Sequence, residues 1–218
     1  MKRPRIITID GPAGAGKSTV AREIARRFGY LHLDSGALYR AIGYACKERG
    51  VNLNDGEAVL KVARSLSVEL LPEGRVLLNG EDVTERIRTP EGGALAARVA
   101  QYPEVREIVV ELLRKMARGK RVVIDGRDAG SYIFPDADLK IYLTASPEER
   151  ARRRYEELLK KGFKVSYEKV LKEVLERDRM DESRKFAPLK VPEGAVTIDT
   201  TGKSLEEVIS EISKLIDP

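Results

Sequence analysis

The chain has 218 residues, 42% of them hydrophobic and 34% charged, with a formal net charge of +5. That length can bury an ample interior, and no apolar run approaches the ~20 residues of a membrane-spanning helix, so no membrane partner is expected. The single Cys46 rules out an internal disulfide, and the basic start Met1-Lys2-Arg3-Pro4-Arg5 leads into a strand rather than a signal-peptide core, so a reduced, cytoplasmic setting is the expectation.

Arg5–Asp10 is a short, mostly apolar, β-branched run suited to a buried parallel strand. It leads into Gly11-Pro12-Ala13-Gly14-Ala15-Gly16-Lys17-Ser18, which reads G-x-x-x-x-G-K-[ST]. A helix is predicted behind it, with Val20, Ile24 and Phe28 at helical spacing and Gly29 as its stop. In that setting the glycines let successive N–H groups converge on one anion at the positive end of a helix. Lys17 can bridge the β- and γ-phosphates, and the Ser18 hydroxyl can ligate Mg²⁺. A glycine-rich turn that binds nothing would not need lysine, serine, strand and helix together. The expected ligand is a nucleoside triphosphate.

Tyr30–Leu33 predicts a second strand, followed by Asp34-Ser35-Gly36 and a helix with Leu38, Ile42 and Cys46 on one side, ending near Gly50. His32, inside the strand run, reads as structural, and no histidine is expected near the loop. After a helix over Glu57–Leu66 the texture changes. Ser67–Leu71, the turn Pro72-Glu73-Gly74 and Arg75–Leu78 predict a β-hairpin, and Asn79–Val83 a second turn and short strand. Hairpins are foreign to a βαβ core, so a separate small sheet is expected in an inserted subdomain between about residues 50 and 118. Thr89-Pro90 and Tyr102-Pro103 start helices of roughly 91–101 and 104–118, the second closed by Gly119.

Buried-strand patterns return at Arg121–Asp125 and Asp138–Leu143. Ser146-Pro147-Glu148-Glu149 opens a helix with the residues of a capping box. Gly162–Val165 interrupts, a helix runs from about Tyr167 to Arg184, Val196–Asp199 is a last strand, and Ser204-Leu205-Glu206-Glu207 caps a closing helix. The expected fold is α/β: a doubly wound parallel sheet of about five strands with helices on both faces.

Ligands of such a sheet sit at the carboxyl ends of its strands, which here carry Asp10-Gly11, Asp34-Ser35-Gly36 and Asp125-Gly126-Arg127-Asp128. Asp125 suits a direct or water-mediated contact to Mg²⁺, while Asp34 is equally a helix cap. On the helix from Tyr167, the stripe Val170, Val174, Arg177, Asp181, Arg184 turns from apolar to charged without leaving its face. Either that end emerges into water or the face lines an anion-binding pocket. Arg150, Arg152, Arg153 and Arg154 follow Glu148 and Glu149 at helical spacing, which mainly describes a solvated face; the functional alternative is a lid over transferring phosphates. Dispersed charge of this kind points away from a nucleic-acid partner.

The strings Ile9–Ser18, Leu33–Arg40, Val105-Arg106-Glu107, Asp125–Gly130 and Glu176-Arg177-Asp178 with Asp181, Ser183-Arg184 and Ala187-Pro188-Leu189 resemble those of bacterial cytidylate kinases over nearly the whole chain. The resemblance implies ATP-dependent phosphorylation of CMP or dCMP with Mg²⁺, by a single P-loop kinase domain over residues 1–218. It implies an acceptor-binding insertion at about 50–118 and a lid at about 150–166. It puts ATP on Gly11, Pro12, Ala13, Gly14, Ala15, Gly16, Lys17, Ser18 and Thr19. The acceptor phosphate falls to Arg40, Arg127 and Arg184, the sugar to Ser35, Arg177 and Asp181, and the base to Arg106 and Asp128. Catalysis then rests on Lys17, Arg127, Arg184 and Asp125, with Ser18 on the metal and Asp125 behind it through water. Ala97 stands where enterobacterial members carry a serine near the base. The partners implied are small nucleotides, with no nucleic acid, no membrane and no second subunit. Another P-loop small-molecule kinase is the alternative. A GTPase is not, since no N-K-x-D string occurs.

Overall fold

The computed structural model describes residues 3–217. Strand β1 (Ile6–Asp10) sends Ile7 and Ile9 to one face of the central sheet and buries Thr8 and Asp10 on the other. Helix α1 (Lys17–Phe28) buries Val20, Ala21 and Ile24 and ends at Gly29 in a left-handed cap. Strand β2 (Leu31–Asp34) runs directly into α2 (Ser35–Glu48). The Asp34 carboxylate caps that helix by accepting from the Ala37 amide at 2.9 Å.

The insertion begins with α3 (Gly56–Arg64) and continues through β3 (Val68–Leu70), β4 (Val76–Leu78) and β5 (Glu81–Asp82). These strands form the expected small antiparallel sheet, in the order β3-β4-β5. A helix α4 (Thr84–Ile87) precedes α5 (Pro90–Val99) and α6 (Pro103–Ala117), each with proline at its start. One turn of four residues is too short to show a helical period, so α4 has no signature in the sequence.

The chain returns to the sheet through β6 (Val122–Gly126), a π-turn at Ala129–Ile133, β7 (Leu139–Thr144) and the helices α7 (Pro147–Lys160) and α8 (Tyr167–Glu182). Strand β8 (Val196–Asp199) and helix α9 (Leu205–Ile216) complete it. Two expectations are corrected. At α7 the Ser146 hydroxyl accepts from the Glu149 amide, but the Glu149 carboxylate pairs with Arg152 and Arg153 rather than reaching back, so the box is half made. At α9, Ser204 and Glu207 form both halves. Helix α8 stops at Glu182, leaving Arg184 just past its end.

The five strands are parallel in the order β2-β6-β1-β7-β8, with α1 and α9 against one face. On the other face Leu33, Val122 and Ile124 share one apolar core with α2 and with Val59, Val76, Val83, Ile87, Val99, Val105 and Leu113 of the insertion. The small sheet therefore has no separate interior. Helices α2 and α5 approach so closely that a Cβ on Gly43 would lie 2.8 Å from Leu95 Cβ and 3.0 Å from the Leu95 carbonyl carbon. Gly43→Val should therefore destabilise the protein by about 1–3 kcal/mol through overpacking, read as a lowered Tm. An unchanged Tm would mean that the two helices can part without cost.

Candidate functional site

The register of the sheet brings its acidic strand ends together: Asp34 pairs with Asp125, Ile9 with Asp125, and Asp10 with Gly126. The loop 11–18 starts from this edge. Lys17 is buried and its Nζ donates to the Pro12 carbonyl at 2.7 Å. Burial, reinforced by the charge of Arg127, pushes the Lys17 ammonium well below its ordinary value. Thr19, by contrast, is exposed.

Ser18 Oγ donates to Asp125 Oδ2 at 2.5 Å. The other oxygen of Asp125 lies 2.6 Å from His32 Nε2, so a histidine does stand near the loop, contrary to expectation. Burial alone would raise the Asp125 pKa, but the bonds to His32 and Ser18 and the charge of Lys17 bring it below the ordinary carboxylate value. An ionised carboxylate only accepts, so Nε2 carries the proton. Ser35 joins the same group, donating its hydroxyl to the Asp125 carbonyl at 2.8 Å.

Asp181, 3% exposed, lies at the centre of the charged end of the α8 stripe. Arg127 Nε donates to it at 2.8 Å, Arg177 Nε at 3.2 Å, and Arg184 Nη2 stands 3.6 Å away. Burial works to raise its pKa, and Arg127, Arg177 and Arg184 together hold it down at about 2. The face therefore does not emerge into water: it converges three guanidinium groups. Arg177 also donates to the Gly93 carbonyl of α5 at 3.1 Å. Arg40 is half-exposed and 3.9 Å from Asp34; burial first, then the charges of Arg127 and Arg40, lower the Arg177 pKa against the pull of Asp181.

Arg106, 1% exposed, is paired with Asp128, and its guanidinium lies 5.5 Å from the ring centre of Tyr39. Three buried polar atoms on these residues have no hydrogen-bond partner among the described residues: Arg106 Nε, Tyr39 Oη and Arg184 Nη2. Between α5 and α8, Ala97, Ala100, Gln101, Arg177, Met180, Asp181 and Arg184 enclose a cavity of about 20 Å³. That is room for about one water molecule.

In the arginine run, Arg152 and Arg154 pair with glutamates on an open face, as the spacing implies. Arg153 adds bonds to Thr200 Oγ1 and the Thr200 carbonyl. Arg150 is different. It is 4% exposed and donates to the Ala13 carbonyl of the loop. Arg152, Arg153 and Arg154 beside it are all more exposed and belong to the same run of arginines, so the sequence carries no sign of this. Asp10 is also hidden from sequence reading: its carboxylate accepts from the amides of Ala129 at 2.5 Å and Gly130 at 2.8 Å, fixing the turn that follows Arg127 and Asp128.

A sequence profile described as Cytidylate kinase matches residues 7–218. Curated relatives bearing that name include one from Caldanaerobacter subterraneus subsp. tengcongensis, 52% identical over 210 residues and covering 96% of this chain and 93% of its own. Another, from Geobacillus kaustophilus, is 47% identical and covers 100% of this chain and 98% of its own. Among solved structures, a gluconokinase from Sinorhizobium meliloti shares the fold at a TM-score of 0.51 and 17% identity, covering 100% of this chain and 96% of its own.

Burial first, and then the charge of Asp128, push the Asp10 pKa up to about 7, against the amides of Gly130 and Ala129 and the charge of Lys17. Its folded pKa thus exceeds the unfolded value of about 3.9. The stability linked to this group is present below pH ~4 and is lost as pH rises to about 7. Asp10→Asn removes that slope. Its Tm difference from the parent should move in the variant's favour between pH 5 and pH 8, and a pH-independent difference would disprove the raised pKa.

Proposed function

The chain belongs to the cytidylate kinase family, and from that membership and the geometry of the site we propose how it transfers the terminal phosphoryl group of ATP to CMP or dCMP. The observation that carries this reading is the charge balance at Asp181. Arg127, Arg177 and Arg184 face one carboxylate. Arg177, its partner one helical turn away, offsets Asp181, so the charges of Arg127 and Arg184 remain unmatched, which suits a dianionic phosphate monoester. The Arg106–Asp128 pair is neutral as a whole and suits an uncharged base. A carboxylate at Asp128 accepts from the cytosine amino group but faces a carbonyl lone pair in uracil. Ser35, Arg177 and Asp181 then fall to the sugar.

The loop amides and Lys17 hold the donor phosphates. Ser18 and Asp125 offer hard oxygen ligands beside them and fit Mg²⁺, with Asp125 acting directly or through water. Bound there, the ion would neutralise charge on the donor phosphates. Phosphoryl transfer needs little covalent help, so the residues act by alignment and charge neutralisation. Transfer passes directly from donor to acceptor without a phospho-enzyme, since this chemistry needs no protein nucleophile. Arg40, Arg127 and Arg184 keep the acceptor phosphate in line.

Residues of about 50–118 serve as the acceptor-binding subdomain and those of about 150–166 as a lid. To admit CMP the insertion swings away from α8, breaking the contact of Arg177 with Gly93. The enzyme works as a monomer in the cytoplasm on soluble nucleotides, with neither nucleic acid nor membrane as partner.

An ADP-release assay over CMP, dCMP, UMP, AMP and GMP should show the cytosine nucleotides preferred in kcat/KM. Equal values for CMP and UMP would defeat the assignment of Asp128, and turnover of none of the five would leave the reading to another acceptor. Arg184→Ala should raise KM for CMP by about one to two decades, the cost of roughly 1.5–3 kcal/mol for a charge-assisted contact, with KM for ATP little changed. Unchanged CMP kinetics would remove Arg184 from the site.

A further inference from the structure

Arg150 projects from the first turn of α7 into the back of the phosphate-binding loop. Its Nε donates to the Ala145 carbonyl at 2.9 Å and its Nη1 to the Ala13 carbonyl at 3.1 Å. The remaining side of the guanidinium forms a fork on Asp178 of α8, Nη1 to Oδ1 at 3.0 Å and Nη2 to Oδ2 at 2.7 Å. The helix backbone fits the loop as closely as the side chain does. A Cβ on Gly14, which has φ of +78°, would lie 2.9 Å from both the Cβ and the carbonyl oxygen of Arg150.

A trans peptide points its C=O and the following N–H in opposite directions. Holding the Ala13 carbonyl from behind therefore turns the Gly14 N–H toward the other side of the loop, where phosphate binds. Asp178 orients Arg150 in turn, and it stands on the helix that carries Arg177 and Asp181. One guanidinium thus touches the donor loop, the end of β7 and the acceptor helix.

We propose that Arg150 and Asp178 are positioning residues that set the peptide orientation of the donor loop and make it depend on the placement of the acceptor helix α8. The inference deepens the kinase reading and rests on it for the acceptor half. Arg150 reaches the reaction only through the Ala13 carbonyl. Any shift of α8 as CMP is gripped is passed through the fork on Asp178 to the loop, and ATP binding tightens. By reciprocity, ATP tightens CMP by the same factor.

The test measures binding of a fluorescent, non-hydrolysable ATP analogue to the full-length protein, with and without saturating CMP. In the parent protein CMP should tighten the analogue. Asp178→Asn should bring that ratio close to 1 while changing affinity without CMP by less than about threefold, since the Ala13 contact survives. Arg150→Lys keeps the charge but loses the fork, and should weaken the analogue about tenfold even without CMP. A parent ratio of 1, an unaltered ratio in Asp178→Asn, or undiminished affinity in Arg150→Lys would each overturn the proposal. If Asp178→Asn does not fold, the ratio in Arg150→Lys decides the same point. Failure of the parent to phosphorylate CMP would remove the acceptor reading, but the effect of Arg150→Lys on the analogue alone would still test the loop contact.

Discussion

Like charges do not gather in a folded protein without something to hold them, and here that is the buried carboxylate of Asp181. Three guanidinium groups, from β6–turn residue Arg127 and from Arg177 and Arg184 on or beside α8, converge on it. Removing the acid would leave three partly buried positive charges repelling one another, a penalty larger than that of losing a surface pair. Asp181 therefore holds the three arginines together. It is outnumbered, so the cluster still attracts an anion.

The sheet provides the frame for this cluster. Parallel register aligns Asp34, Asp125 and Asp10 along one edge, and each takes a different task from its surroundings. Asp34 caps α2, Asp125 links Ser18 to His32, and Asp10 braces the turn behind Asp128. Because the insertion shares its apolar core with α2 and β6, it is tied to the sheet at its base. Its α5 meets α8 through the Arg177 bond to the Gly93 carbonyl and around the small recess at Ala97 and Ala100.

The strands, the loop and the long helices were legible because each carries a period or a terminus signal. The pair Arg177–Asp181 was legible for the same reason, lying one helical turn apart. Contacts across the chain were not. Nothing local marks Arg150 apart from Arg152 and Arg154, since burial is decided by which side of α7 meets residues 13 and 178. His32 read as a structural strand residue because its partner Asp125 is 93 positions away. The half-made box at Ser146 shows the opposite failure, a correct local pattern whose glutamate was claimed by nearby arginines.

The two buried charged groups on the acceptor side differ in a way that separates their roles. Arg106 and Asp128 cancel one another, so binding there is governed by hydrogen-bond direction rather than by net charge, and an unmatched atom carries the full cost of a buried polar group. The Asp181 cluster is unbalanced, so binding there is governed by charge and tolerates variation in what the phosphate is attached to. On the proposed kinase reading, selectivity for a base and affinity for a phosphate can then be set independently. Arg106 Nε has no hydrogen-bond partner among the described residues, while Arg184 Nη2 has only the 3.6 Å approach to Asp181, so each group keeps a direction in which a further acceptor could bond.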